Sequence, residues 1–350
     1  MLNIPTAYSV DTPWSHPIET CTYPQNTVKD ESRLREYLCQ SDWPVNLQTF
    51  FIQEINKVPV RYFIYDDSGS MSTNDREKMI DNNTIECSRW SELCETMNFQ
   101  VQASRIGKIK SHFIFLNGQS YKTDQITNLD QTLMNNMTGG DTPLFRTLNK
   151  IISEIRLIEQ ELRCMDQKVS ITISTGGKSS DGCASSLLST LKKMPVDITL
   201  RLCTNEERII RLWNYIDRAL DLSLNIIDGY CSEATKVYSV NSSLCYTLPI
   251  HQLREYGISC PLFDHLGKMT LTDEDQGKMS NIICGDGLLQ EPLPFCPILK
   301  TNRPYINIGS VASTHSTNVA VTRCVQCNRT IRCDHCTLDA RKKSSNCVIL

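Results

Sequence analysis

Val58-Pro59-Val60-Arg61-Tyr62-Phe63-Ile64-Tyr65-Asp66-Asp67-Ser68-Gly69-Ser70-Met71-Ser72 is the stretch whose reading decides the fold. Its first half is a short apolar run that reads as a buried strand. Its second half sets one carboxylate and two hydroxyls at alternate positions, Asp66, Ser68 and Ser70. That spacing gathers hard oxygen donors at the C-terminal end of a strand, where an open α/β sheet keeps its ligand site. Such donors suit Mg²⁺ or Mn²⁺ and do not suit zinc or copper.

Working outward, strand and helix patterns alternate. Ser111 to Leu116 is a second strand. Lys168 to Ser174 is a third, with Val169, Ile171 and Ile173 alternating against Ser170, Thr172 and Ser174. Val196 to Cys203 and Leu224 to Ile227 follow as strands. Helical stripes are expected over Ile85 to Ile106, Leu144 to Leu162, Ser185 to Lys193 and Glu206 to Leu222. Thr142 and Pro143 form a start signal for the second of these. Alternating elements of this kind predict an α/β fold: a doubly wound, mostly parallel sheet flanked by helices. Short helices are expected near Asp30 to Cys39, Asn46 to Ile55, Leu248 to Tyr256 and Pro261 to Met269. Thr301 to Val321 reads as a strand pair or a linker. The organisation expected is an N-terminal extension over 1–45, the α/β domain over 46–240, a helical or irregular extension over 241–320, and a Cys-rich module with a basic tail over 321–350.

The chain has 350 residues, 40% of them hydrophobic, enough for a sizeable core. A net charge of −3 gives no reason to expect nucleic-acid binding. No secretory signal and no run of apolar residues long enough to span a bilayer is visible, so the expected location is the cytoplasm. Seventeen Cys in a reducing compartment read as thiols or metal ligands.

Much later than the opening stretch, Gly139-Gly140-Asp141-Thr142-Pro143-Leu144 opens the Leu144 helix. The Asp66-x-Ser68-x-Ser70 element joined to this loop resembles the von Willebrand factor A domain, over roughly Val58 to Val237. The resemblance implies a metal-ion-dependent adhesion site in which Ser68, Ser70 and Thr142 bind Mg²⁺ directly. Asp66 would orient bound water, and a carboxylate from a protein partner would complete the octahedron. A site with so few formal charges leaves the cation under-neutralised, so an incoming Asp or Glu is strongly attracted. One loop departs from the family. A domains present Thr-Asp-Gly after the next strand, whereas this chain reads Ser174-Thr175-Gly176-Gly177, with Gly176 at the acid's position. Asp141 and Asp181 are the candidates to compensate.

Cys324-x₂-Cys327 and Cys333-x₂-Cys336 supply four thiolates at spacings that match a structural Zn²⁺ site, with free thiols or redox pairs as the alternative. The terminal Cys347-Val348-Ile349-Leu350 resembles a prenylation signal, and Arg341-Lys342-Lys343 lies just upstream. Lipid on Cys347 beside that basic run would give peripheral membrane association. The function expected is therefore non-enzymatic: an intracellular A domain that binds a protein partner offering an Asp or Glu. The alternatives are a ubiquitin-ligase-like or enzyme-accessory protein using the Cys cluster, and a scaffold with a degenerate metal site.

Overall fold

Arg61–Tyr65, the core of the opening stretch, is strand β1 and runs through the middle of a six-stranded sheet. The protein is seen here as a computed structural model that describes residues 28–126, 138–220, 224–285 and 293–306. Helices α1 (Glu31–Gln40) and α2 (Val45–Asn56) precede β1. After it come a 3₁₀ turn at Gly69–Ser72, the hairpin β2 (Arg76–Ile80) and β3 (Asn83–Cys87), α3 (Arg89–Ile106), β4 (Ser111–Phe115) and β5 (Ser120–Lys122). Then follow α4 (Leu144–Arg156), α5 (Glu159–Cys164), β6 (Val169–Thr175), α6 (Ala184–Leu191), β7 (Val196–Leu202), α7 (Glu207–Leu220) and β8 (Asn225–Ile227). Helices α8 (Tyr230–Val240), α9 (Leu248–Glu255), α10 (Pro261–Asp264) and α11 (Asp273–Cys284), with the two-residue strands β9 (Phe295–Cys296) and β10 (Thr301–Asn302), complete the described chain.

The sheet order is β5-β4-β1-β6-β7-β8. Every neighbouring pair is parallel except the short edge strand β5 against β4. Counted within the sheet, that order is 3-2-1-4-5-6, the doubly wound α/β arrangement, in which the chain reverses its direction of winding between β1 and β6. The expected fold class is the observed one, a mostly parallel sheet flanked by helices.

Period-two alternation assigns each side chain to a face. Tyr62 and Ile64 of β1 and Val169, Ile171 and Ile173 of β6 pack under α4, α5, α6 and α7, where Leu148, Ile151, Ile155, Leu188 and Trp213 are buried. Phe63 and Tyr65 turn to the opposite face. There they meet Phe51 of α2, Phe99 of α3, Phe113 of β4 and Tyr256, which directly follows α9. The Phe63 and Phe113 rings stack at 5.4 Å, and Tyr256 sets its edge against Phe51 at 5.0 Å and Phe63 at 5.3 Å. Full burial of rings this size contributes roughly 2–3 kcal/mol each before entropy is counted. Gly257 follows with φ +78, and a Cβ there would lie 2.4 Å from Ser170 Oγ, so only glycine lets the chain pass this close to β6. Segments on both sides of the α/β region in sequence thus share one core with the sheet.

Three expectations change. The helix expected from Ile85 starts at Arg89, because Ile85 belongs to the β2–β3 hairpin. Asp81 and Asn82 close that hairpin with φ 47 and 63, the paired positive values of a tight I′-type turn. The helix expected over Leu144 to Leu162 breaks at Leu157–Ile158, where Ile158 leaves helical geometry (φ −118, ψ 4) and Leu157 is exposed. The helix expected over Pro261 to Met269 ends at Asp264.

Candidate metal centre

The C-terminal ends of β1 and β6 meet where the winding reverses, and three loops converge there. The first loop leaves β1 at Asp66, which is fully buried. Its Oδ1 accepts from Ser68 N at 3.0 Å, folding the loop back on itself. Its Oδ2 accepts from Thr175 Oγ1 at 2.7 Å and from Gly176 N at 3.1 Å, tying the first loop to the third. Ser68 is buried, Ser70 is exposed, and their hydroxyls lie 3.1 Å apart.

Main-chain bonds lock the second loop to the first. Gly69 N donates to Gly140 O at 3.1 Å, and Gly139 N donates to Asp67 O at 2.9 Å. Asn117, just after β4, braces the junction: its N and Nδ2 donate to Asp67 Oδ1, and Nδ2 also donates to the Asp141 carbonyl at 2.7 Å. Gly140 has φ +79, and a Cβ would come within 2.9 Å of Asn117 Oδ1, so this crossing needs glycine. Burial raises the Asp67 carboxyl above its usual range, partly offset by the Asn117 donors, and the neighbouring Asp66 charge adds to the rise.

Thr142 is buried beside the third loop. Its N–H donates to Ser180 Oγ at 3.1 Å, and its carbonyl accepts from Ser180 N at 2.9 Å. The start of α4 is capped from the same loop, since Asp181 accepts from Phe145 N at 2.9 Å and Arg146 N at 3.0 Å. Burial would raise the Asp181 carboxyl, but the Arg146 N–H, the Ser179 hydroxyl and the Phe145 N–H outweigh it and hold the group low. Asp181 thus serves as a cap for α4. Asp141 is exposed at the rim.

Gly176 stands where the resemblance leads one to expect an acid. A Cβ there would lie 2.9 Å from Met71 Sδ and 3.4 Å from Arg89 Nη1. Arg89 is buried, reaches the Gly176 carbonyl at 3.4 Å, and pairs with Asp75 at 2.6 Å and Glu206 at 3.0 Å. Burial disfavours the guanidinium charge, but these two carboxylates more than restore it. A buried cation with its own counter-charges therefore underlies the third loop. Trp213 of α7 donates to the Gly177 carbonyl at 3.2 Å and fixes the loop from the other side.

Asp66, Ser68, Ser70 and Thr142 are thus brought to one strand-end crevice. The donors that could hold a cation directly are hydroxyls, because among the described residues no three His, Cys, Asp or Glu side chains gather as a ligand set. A hydroxyl pair 3.1 Å apart matches two adjacent corners of an octahedron with ligands about 2.1 Å from the ion, which are about 3.0 Å apart. Thr175, Asn117 and Asp67 hold the site together without standing out in the sequence. A Thr closing a buried strand and an Asn-Gly turn after β4 are the faint signals for two of them. Cys324, Cys327, Cys333, Cys336 and Cys347 lie outside the described residues, so the structure places neither the zinc ligands nor the lipid site expected there. No helix among the described residues is long and apolar enough to cross a membrane.

No protein-family model matches this chain, and no curated protein matches it. Among solved structures, it is similar to an aerotolerance-related membrane protein from Bacteroides fragilis, crystallised with multiple mutations to serines. The identity is 13%, the match covers 41% of this chain and 67% of that one, and the TM-score is 0.26, an overlap that assigns nothing to this chain. The strand order and the three converging loops stand on their own geometry, and they make this a doubly wound α/β fold with a mostly parallel sheet.

Proposed function

We propose that the crevice between β1 and β6 is a Mg²⁺-dependent adhesion site and that the protein is a binding module rather than an enzyme. Ser68, Ser70 and Thr142 would hold the ion, and Asp66 would supply charge from behind them. The ion would offer its remaining positive charge to an Asp or Glu carboxylate of a protein partner. The observation that carries the reading is the pair of Ser68 and Ser70 hydroxyls at an octahedral edge distance, 3.1 Å, on a loop clamped by a buried carboxylate. The hydroxyls contribute no formal charge, so a bound ion stays under-neutralised and favours an anionic sixth ligand.

Absence of the acid at Gly176 lowers the negative charge near the ion. Loss of an outer carboxylate weakens metal affinity by about 10- to 100-fold, which suits an ion that binds together with its partner. Titration calorimetry with Mg²⁺ and with Mn²⁺, alone and with a short acidic peptide, tests this. Heat that is saturable in the parent and lost in Ser70→Ala supports the site. Unchanged binding in Ser70→Ala, with the fold intact by circular dichroism, refutes it.

A further inference from the structure

At the opposite end of the sheet from the metal centre, the turn between α3 and β4 opens onto a cleft of about 730 Å³. Lys29, Arg105, Lys108, Lys110 and Lys122 line it, with Asp124 as the one acid among the described residues. Among the described residues, five basic side chains against one acid, on a chain whose net charge is −3, is a pronounced local excess. Lys108 reaches Asp30 only at 3.6 Å and with its own side chain mostly exposed, which makes for a weak pair. Among the described residues, Lys29, Lys110 and Lys122 line the cleft and make no ion pair.

The cationic rim is held by a well-ordered frame. Lys29 N donates to the Gly107 carbonyl at 2.9 Å, so the chain entering α1 closes over the end of α3. Lys108 takes the left-handed conformation, φ 50, which turns the chain from α3 into β4. Thr123 Oγ1 accepts from Ser111 N at 3.0 Å and donates to the Ile109 carbonyl at 2.7 Å, pinning the two lysine-bearing edges together. Buried Ile109 and Ile126 form an apolar floor. The volume lies in the range of small-molecule sites and is concave, so a single compact ligand fits it better than a flat surface does. Several ammonium groups around one hollow match several phosphates spread around one ring, each lysine acting as a point charge with free choice of geometry.

We propose that this cleft binds a multiply phosphorylated polyol, either as a free solute or as a lipid headgroup. The test uses the full chain with inositol hexakisphosphate in calorimetry, and with phosphatidylcholine vesicles that contain or lack a phosphatidylinositol bisphosphate in co-sedimentation. Saturable binding to either probe is expected, weakening as salt rises because exposed charges are screened. Lys110→Glu/Lys122→Glu should lower affinity by about tenfold or more, since each lost contact near a phosphate is worth about a factor of five. Both side chains are exposed, and Lys110→Gln/Lys122→Gln serves as a milder second variant that should show a smaller loss in the same direction. Lys268→Glu, exposed and away from the cleft, should bind as the parent does. Binding to the solute alone identifies a free ligand, and binding to vesicles alone identifies a headgroup. Binding to neither probe, or equal affinity in parent and both double variants, overturns the proposal.

Discussion

Acid should unfold this protein partly through Glu255. The side chain is buried at the end of α9, with Oε1 2.7 Å from Arg201 Nε and accepting from Thr96 Oγ1 at 2.9 Å. His251 Nε2 lies 3.0 Å from the same oxygen. Burial alone would raise this carboxyl. The His251 and Arg201 charges outweigh it and hold the group down at about 2, against an ordinary 4.5. The folded value lies below the unfolded one, so the stabilisation is complete above pH 4.5 and is lost as pH falls toward about 2. At about 1.4 kcal/mol per pH unit, the interval amounts to roughly 3 kcal/mol, a large part of a typical domain's stability. Urea unfolding, followed by tryptophan fluorescence from neutral pH down through this window, measures it for the parent and for Glu255→Gln. Glu255→Gln should cost up to about 3 kcal/mol at neutral pH, because Arg201 then loses the closer of its two buried carboxylates and keeps only Glu92 at 3.4 Å. That gap should close as the parent's own carboxyl becomes protonated. A gap that stays constant across the window would refute the assignment, since other acidic groups titrate equally in both proteins and cancel.

Two further outcomes follow from single sites. Gly176→Asp should destabilise by about 1–3 kcal/mol, because its Cβ would press on the fully buried Met71 Sδ at 2.9 Å. Combined with Met71→Ala, the loss should be clearly less than additive in a thermal-unfolding cycle, and strict additivity would disprove the contact. Asp264 is raised by burial to about 7, and its Oδ1 has no partner among the described residues. A folded value above the ordinary 3.8 means a contribution present below that pH and lost as pH rises through about 7. Asp264→Asn should therefore raise the melting temperature above neutral pH, by an amount equal to about 1–2 kcal/mol, and change it little near pH 4. A shift of equal size at both pH values would count against a buried charge.

Most of the fold was legible because the parallel strands sit at the centre of the molecule. β6 alternates Ile171 and Ile173 with Thr172 and Ser174, and each set meets a different face. The stripe on α4 was equally plain, since only one side of that helix is buried. The start of α3 was misread because this helix is enclosed on most sides. Glu92, Thr96, Gln100 and Ser104 are buried along with Leu93 and Met97, so no apolar stripe stands out and nothing marks where it begins. The β2–β3 hairpin has mostly exposed side chains and no alternation, and only the Asp81-Asn82 pair betrayed it. At the strand-end crevice, the first loop stood out because Asp66, Ser68 and Ser70 recur at alternate positions, and the second because Gly139-Gly140 precedes a plain helix start. What holds them was not: Asn117 reaches Asp67 across 50 residues, and Arg89 reaches the Gly176 carbonyl across 87. Such partners are chosen by the path of the fold, which one-dimensional spacing does not record.

Tyr256 packs on Phe51 and Phe63, and α11 lies along α2. This closure also sets an order of events during synthesis. The ring-lined face of the sheet is complete by β8, but the residues that seal it are translated later, from α9 onward. Until they leave the ribosome, a strip of aromatic side chains remains wet, and such a strip invites association with other chains. The closing contacts are also the most distant in sequence, and bringing them together carries the loop-closure entropy of nearly the whole described chain. Assembly of the three loops at the C-terminal ends of β1 and β6 can precede this step. Hence the order of synthesis allows a stage in which the three loops at the ends of β1 and β6 are assembled while the core is still open.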